Sequence, residues 1–216
     1  AGEDSGERSL FMDIYAALAR QHMKHFGTTQ RQIAAAAAKS HFHSTLNPLA
    51  QYQKDFSVDE VMADRLISWP LTRSLSDGAG ALVLCTGDTL DRFDKSRAVK
   101  VLGTAVVSGS DRDPDDFDHH IGRMAAERAY EQAGVGPGDV DVAEVHDASA
   151  YAEIVQVENM GFCARGEGGA LAESGETKLG GKIPVNTSGG LLSKNGGGFF
   201  GIEEAATVVT VLGHAS

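Results

Sequence analysis

Apolar residues at Leu10, Ile14, Leu18 and Phe26 fall near helical spacing, and Gly27 follows where a left-handed residue stops a helix. Thr29 with Gln32 has the form of a capping box, and the run Ala34 to Ala38 behind Ile33 predicts a second helix whose small side chains suit close helix contact. Ser57 with Glu60 repeats the box ahead of a short helix through Arg65. The pattern then changes. Gly78 to Cys85 reads as a buried strand, and Val99 to Val107 as another. A solvated acidic loop, Asp111 to Asp116, leads to a helix from about Phe117 to Gln132, broken by Gly134 to Gly138. Val140 to Asp147 alternates apolar and polar as a half-buried strand does, which places His146 at its carboxyl end. A helix through Tyr151, Ile154, Val155, Glu158 and Met160 ends at Gly161, and Ala205 to Leu212 closes the series as a Val- and Thr-rich core strand. Alternating strands and helices predict a layered α/β architecture.

With 216 residues the chain can build one sizeable core or two small ones. Charged residues at 23% and hydrophobic ones at 42% describe a globular protein without the ~20-residue apolar run of a membrane span. The start, Ala1-Gly2-Glu3-Asp4, lacks the basic and apolar regions of an export signal, so a cytoplasmic location is expected. A net charge of −11, with Lys and Arg scattered, argues against nucleic acid as a partner. It leaves room for a local basic patch that meets a nucleotide tail such as that of coenzyme A. Cys85 and Cys163 have neither disulfide-framework nor zinc spacing. Cys85 reads as a small buried residue and Cys163 as helix-end packing. His41 and His43 lie two apart with no carboxylate at ligand spacing, so no metal is expected.

The densest chemistry is late. Gly180 to Gly201 holds two glycine-rich loops, and Asn186-Thr187-Ser188 with Gly189 and Gly190 supplies hydrogen-bonding groups without bulk where main chain can approach a ligand. His146 precedes a helix, and a strand-to-helix joint is where α/β folds place ligands. Asp147 either orients that imidazole or caps the helix, with capping the simpler role. Tyr151 either faces the pocket as a phenolic acid or packs as an ordinary aromatic, with packing the simpler role.

Three strings carry a family resemblance: Glu144-Val145-His146-Asp147-Ala148-Ser149, Gly180 to Lys194, and Asn195 to Gly201. Together they resemble the thiolase superfamily, in its sterol-carrier-protein type and the bacterial lipid-transfer-protein branch. Ser76-Asp77-Gly78-Ala79-Gly80-Ala81 resembles the segment that closes the first thiolase repeat. The resemblance spans the chain as the second half or more of a thiolase. It implies a layered αβαβα thiolase-like fold, with residues 1–96 completing an N-terminal domain and 97–216 forming the C-terminal one. It implies an acyl-CoA acyltransferase that makes or cleaves a carbon–carbon bond beside a thioester. Coenzyme A would be substrate or product, with no cofactor bound covalently.

In that frame His146 is the catalytic candidate, holding a water or donating to the thioester oxygen. Asn186, Ser188, Gly189, Gly190, Gly197 and Gly198 would line the substrate, with Asp147, Tyr151 and Ser76 in support. The family's cysteine nucleophile belongs to the part of the fold before Ala1, and its G-H-P loop, expected after Lys194, is absent. Chain is therefore expected to be missing at the Lys194–Asn195 junction, and a few residues at Arg73–Ser74. The last loop, Asn195-Gly196-Gly197-Gly198, lacks the family's second cysteine, which counts against an ordinary Claisen condensation. Two alternatives follow from the resemblance. One is a thiolase-fold aldolase acting on steroid or lipid side chains with a small OB-fold partner; the other is a non-catalytic acyl or lipid carrier. A homodimer is the family's usual assembly.

Overall fold

Helix α2 (Gln30–Thr45) starts where the sequence says it should: the Thr29 hydroxyl accepts from the Gln32 amide at 3.2 Å, and the Gln32 side chain accepts from the Thr29 amide at 2.9 Å. Ahead of it, α1 (Leu10–Phe26) is closed by Gly27 at φ 75°, whose N–H donates to the Met23 carbonyl. In this computed structural model, which describes residues 10–72, 84–109, 111–193 and 206–214, the contacts group into two units. One unit takes residues 10–72 and 140–193, the other 84–139 and 206–214.

The first unit is built around α2. Its alanines, Ala34 to Ala38, are buried and let α3 (Val58–Ala63) and two later helices, residues 150–159 and 168–173, pack on the same helix. The box at Ser57 and Glu60 is present, although the helix ends before Arg65. A small antiparallel pair, β1 (Leu66–Ser68) and β2 (Leu71–Thr72), follows. Later in the chain, α5 (Ala150–Asn159) is buried along its whole length, and α6 (Gly168–Glu173) lies against both α5 and α2. His22 on α1 ties α1 to α5 from within: its ring nitrogens lie 2.9 Å from the Thr28 hydroxyl and 3.0 Å from the Glu158 carboxylate. Tyr151 stacks edge-on against the same imidazole, the packed aromatic of the simpler reading.

The second unit pairs β3 (Val99–Ser108) with β4 (Ala206–His214), antiparallel, with α4 (Ile121–Ala133) packed on both. Among the described residues these strands and β1–β2 make two two-stranded sheets. No described helix is long and apolar enough to cross a membrane.

Three expectations are corrected. Val140 to Asp147 forms no strand; only an isolated parallel bridge joins Ala143 to Val185, because Asn186 turns left-handed at φ 51° immediately afterwards. Asp147 does not cap α5, since Ser149 accepts from the Ala152 amide in that role. Cys85 is exposed rather than buried, and Leu84 to Thr86 are irregular; the earlier part of that expected strand lies outside the described residues. The Arg73–Ser74 and Lys194–Asn195 junctions, Ser76, Gly197 and Gly198 also lie outside them.

Candidate active site

Residues 143–147 and 184–191 run side by side, tied at almost every step. The Ala143 amide donates to the Pro184 carbonyl at 3.0 Å, and the Asn186 amide donates back to the Ala143 carbonyl at 2.8 Å. A third ladder bond would need another carbonyl. Instead the Asn186 side-chain oxygen accepts from the Val145 amide at 2.8 Å, made possible by the left-handed backbone that asparagine tolerates. The Glu144 carboxylate then grips the turn, accepting from the Ser188 hydroxyl at 2.7 Å, the Ser188 amide at 3.0 Å and the Thr187 hydroxyl at 3.1 Å. From the other side the Asn47 side chain donates to the Ser188 carbonyl at 3.0 Å. Asp147 completes the set by accepting from the Leu191 amide at 2.6 Å.

His146 thus stands between two residues that are each bound to the turn, and is itself half-buried. The structure brings His146, Ser188, Gly189 and Gly190 into one neighbourhood. Asn186, expected to touch substrate, is fully buried with both ends of its amide used inside the protein, so it shapes the turn rather than lining a pocket. Gly190 sits at φ 62°, and a Cβ there would collide with the Asp147 carboxylate.

Beneath the turn lies a buried polar cluster that local sequence patterns do not reveal. Lys39 of α2, fully buried, lies 2.8 Å from both oxygens of Glu153 on α5 and donates to the Val185 carbonyl at 2.6 Å. Ser40 reaches the same carboxylate at 3.4 Å, and the Asn186 amide donates to it at 2.9 Å. His43, one helical turn after Lys39, takes part through both nitrogens. Nε2 accepts from the Leu179 amide at 3.1 Å, so Nδ1 carries the proton and donates to the Asn186 carbonyl at 3.0 Å. That geometry suits only the neutral ring, and burial lowers the His43 pKa from its ordinary value. The signals were a lysine at the end of an alanine run and a glutamate inside an apolar helix. Each is ordinary alone, and their partnership spans 114 positions of sequence.

Asp147 is the electrostatic outlier. Burial, then the negative charge of Glu153, pushes its pKa up to about 8, against the lowering effect of the Leu191 amide and Lys39. Its second oxygen, Oδ2, is buried and makes no hydrogen bond. A carboxyl with a raised folded pKa holds a proton that the unfolded chain releases near pH 4, so it makes stability fall as pH rises from about 4 to about 8. Asp147→Asn keeps the acceptor for Leu191 and cannot ionise. The variant is expected to be more stable than the parent at pH 8, with the gap closing toward pH 4, as read from urea midpoints across that range. A constant gap would show that Asp147 titrates normally.

No group of three or more His, Cys, Asp or Glu among the described residues could hold a metal. The arrangement offers instead a half-buried histidine on a segment held against a turn whose Ser188, Gly189 and Leu191 amides are already committed to Glu144, Asn186 and Asp147, so the donor left for an oxygen developing negative charge is the imidazole itself.

Residues 103–215 match the family described as "Thiolase C-terminal domain-like". The acetyl-CoA acetyltransferase of Methanothermobacter thermautotrophicus is 37% identical over 209 residues, covering 92% of this chain and 54% of that protein. Sterol carrier protein 2 of Bos taurus is 37% identical over 189 residues, covering 81% of this chain and 34% of that protein. Among solved structures, the Ltp2-ChsH2(DUF35) aldolase superposes with a TM-score of 0.72 at 27% identity, over 83% of this chain and 50% of that one. The chain spans about half or less of the length of the curated relatives it matches. Its mixed α/β structure is thiolase-like, and by the match to more than half its residues the chain belongs to the thiolase superfamily, as that family's C-terminal region.

Proposed function

We propose that this chain belongs to a thiolase-like acyltransferase that makes or cleaves a carbon–carbon bond beside a coenzyme A thioester, with His146 donating to the thioester oxygen. The observation that carries the reading is the pairing of residues 143–147 with the 185–191 turn, which fixes the backbone on both sides of His146 against Ser188, Gly189 and Gly190. A donor held in place before the reaction stabilises the developing oxyanion without reorganising, and removing one such donor typically costs about 10²–10³ in rate. Asp147 supports the site from its buried side, and the family resemblance assigns supporting or substrate-lining roles to Tyr151, Ser76, Gly197 and Gly198. Residues 97–216 act as the C-terminal domain and 1–96 as the remainder of the N-terminal one, in a cytoplasmic homodimer.

A second reading, a thiolase-fold aldolase with an OB-fold partner, is supported by the likeness to the Ltp2-ChsH2(DUF35) aldolase. Product analysis separates the two: cleavage of a 3-ketoacyl-CoA that consumes free coenzyme A supports the acyltransferase, and release of a ketone without free coenzyme A supports the aldolase.

His146 is tested without turnover. In isotope-edited infrared spectra, the 13C-labelled thioester carbonyl of bound acetoacetyl-CoA is expected to shift to lower frequency, and His146→Ala is expected to remove the shift while binding persists. A carbonyl band indifferent to His146 would remove this residue from the reaction.

A further inference from the structure

The first unit contains a cavity of about 570 Å³, within the range of small-molecule sites, that lies beside the residues described above but does not include His146. Its wall is mostly apolar: Ile33 and Ala37 of α2, Phe56, Val61 and Met62 around α3, and Leu192 beyond the turn. One imidazole, His41 of α2, interrupts that wall. Its ring meets Phe56 edge-on at 4.9 Å between centroids, and its Nδ1 is buried without a hydrogen-bond partner among the described residues. Unsatisfied polar groups in apolar surroundings are costly, and in native proteins they call for an explanation. His41 is also absent from the hydrogen-bonded network of its neighbour His43, so the network at the turn does not account for it.

The charged lining selects further. Glu60 and Asp64 are the carboxylates of the cavity, and no lysine or arginine is among its described lining residues. An anionic ligand would meet repulsion from those two carboxylates. We propose that this cavity binds a neutral, largely apolar molecule carrying a hydroxyl or carbonyl oxygen, and that His41 hydrogen-bonds that oxygen. Burial lowers the His41 pKa, which keeps the ring neutral and able to accept from a hydroxyl or donate to a carbonyl. The same chemistry belongs to the oxygenated tail of a thioester and to a free lipid.

Equilibrium binding of 2-naphthol and 2-methylnaphthalene to the full chain, followed by ligand fluorescence, tests the assignment. The two differ by a hydroxyl against a methyl of similar size. Wild type is expected to prefer naphthol by about 5-fold, the factor a net hydrogen bond contributes. His41→Leu is expected to bring the ratio close to one, and His41→Gln, which keeps a polar side chain, to restore part of it; circular dichroism confirms that each variant is folded. 2-Naphthoate is expected to bind more weakly than 2-naphthol. No binding, equal affinities in wild type, a ratio unmoved by His41→Leu, or tighter binding of the anion would each overturn the proposal. Displacement of 2-naphthol by 10-hydroxydecanoyl-CoA assigns the ligand as a thioester tail, and its absence a free lipid. No thioester is needed for naphthol to bind, so failure here leaves the acyltransferase reading standing.

Discussion

Replacing Lys39 with alanine is expected to lower the unfolding free energy by about 3–5 kcal/mol, the cost of stranding one member of a buried ion pair. Glu153 would keep its Ser40 and Asn186 contacts but lose the cation that the structure places against it. Val185 would also lose the partner for its carbonyl. The double substitution Lys39→Met with Glu153→Leu removes both charges and should recover most of the loss. It should remain about 1–3 kcal/mol short of the parent, because the Asn186 amide and the Val185 carbonyl stay buried and unpaired. Urea unfolding of the three proteins decides it. If Lys39→Ala unfolds within experimental error of the parent, the pair is not buried as described.

Gly190→Ala is expected to cost about 3 kcal/mol and to displace the turn. Two separate effects add: a left-handed alanine is strained by about 1–2 kcal/mol, and its Cβ would overlap the Asp147 carboxylate, an overpacking of similar size. They can be told apart. In an Asp147→Ala background the overlap disappears, so the same substitution should cost only the backbone strain, about 1–2 kcal/mol. Equal costs in both backgrounds would mean that Asp147 and Gly190 do not meet.

Local signals in the sequence carry through to the structure. Thr29 with Gln32, Ser57 with Glu60, and Gly27 after an apolar repeat each depend on groups within four residues, and each appears as the spacing implies. The strand expected at Val140 to Asp147 failed for a non-local reason. Alternation describes which side chains face a core; whether a strand forms depends on a neighbour supplying carbonyls. Here the neighbour turns left-handed at Asn186 after one bridge and offers a side chain instead. The motif at His146 was legible as a motif, whereas its clamp was not. Glu144 looked like one more polar position, and only the fold shows it holding Thr187 and Ser188 from more than forty positions away. The apolar run ahead of Cys85 predicts burial, yet Cys85 is exposed, because burial is a property of the whole fold.

The Lys39 bond to Val185 joins positions 146 apart in the chain. A glycine-rich segment has little intrinsic preference for one shape, so its conformation is imposed from outside. Closing so long a loop carries an entropic cost that precedes any contact that offsets it, which makes contacts of that span slow to form. The turn beside His146 is therefore expected to set only once the helix bearing Lys39 has met the helix bearing Glu153. A variant that slows that meeting would delay the appearance of a competent site without touching any residue within it.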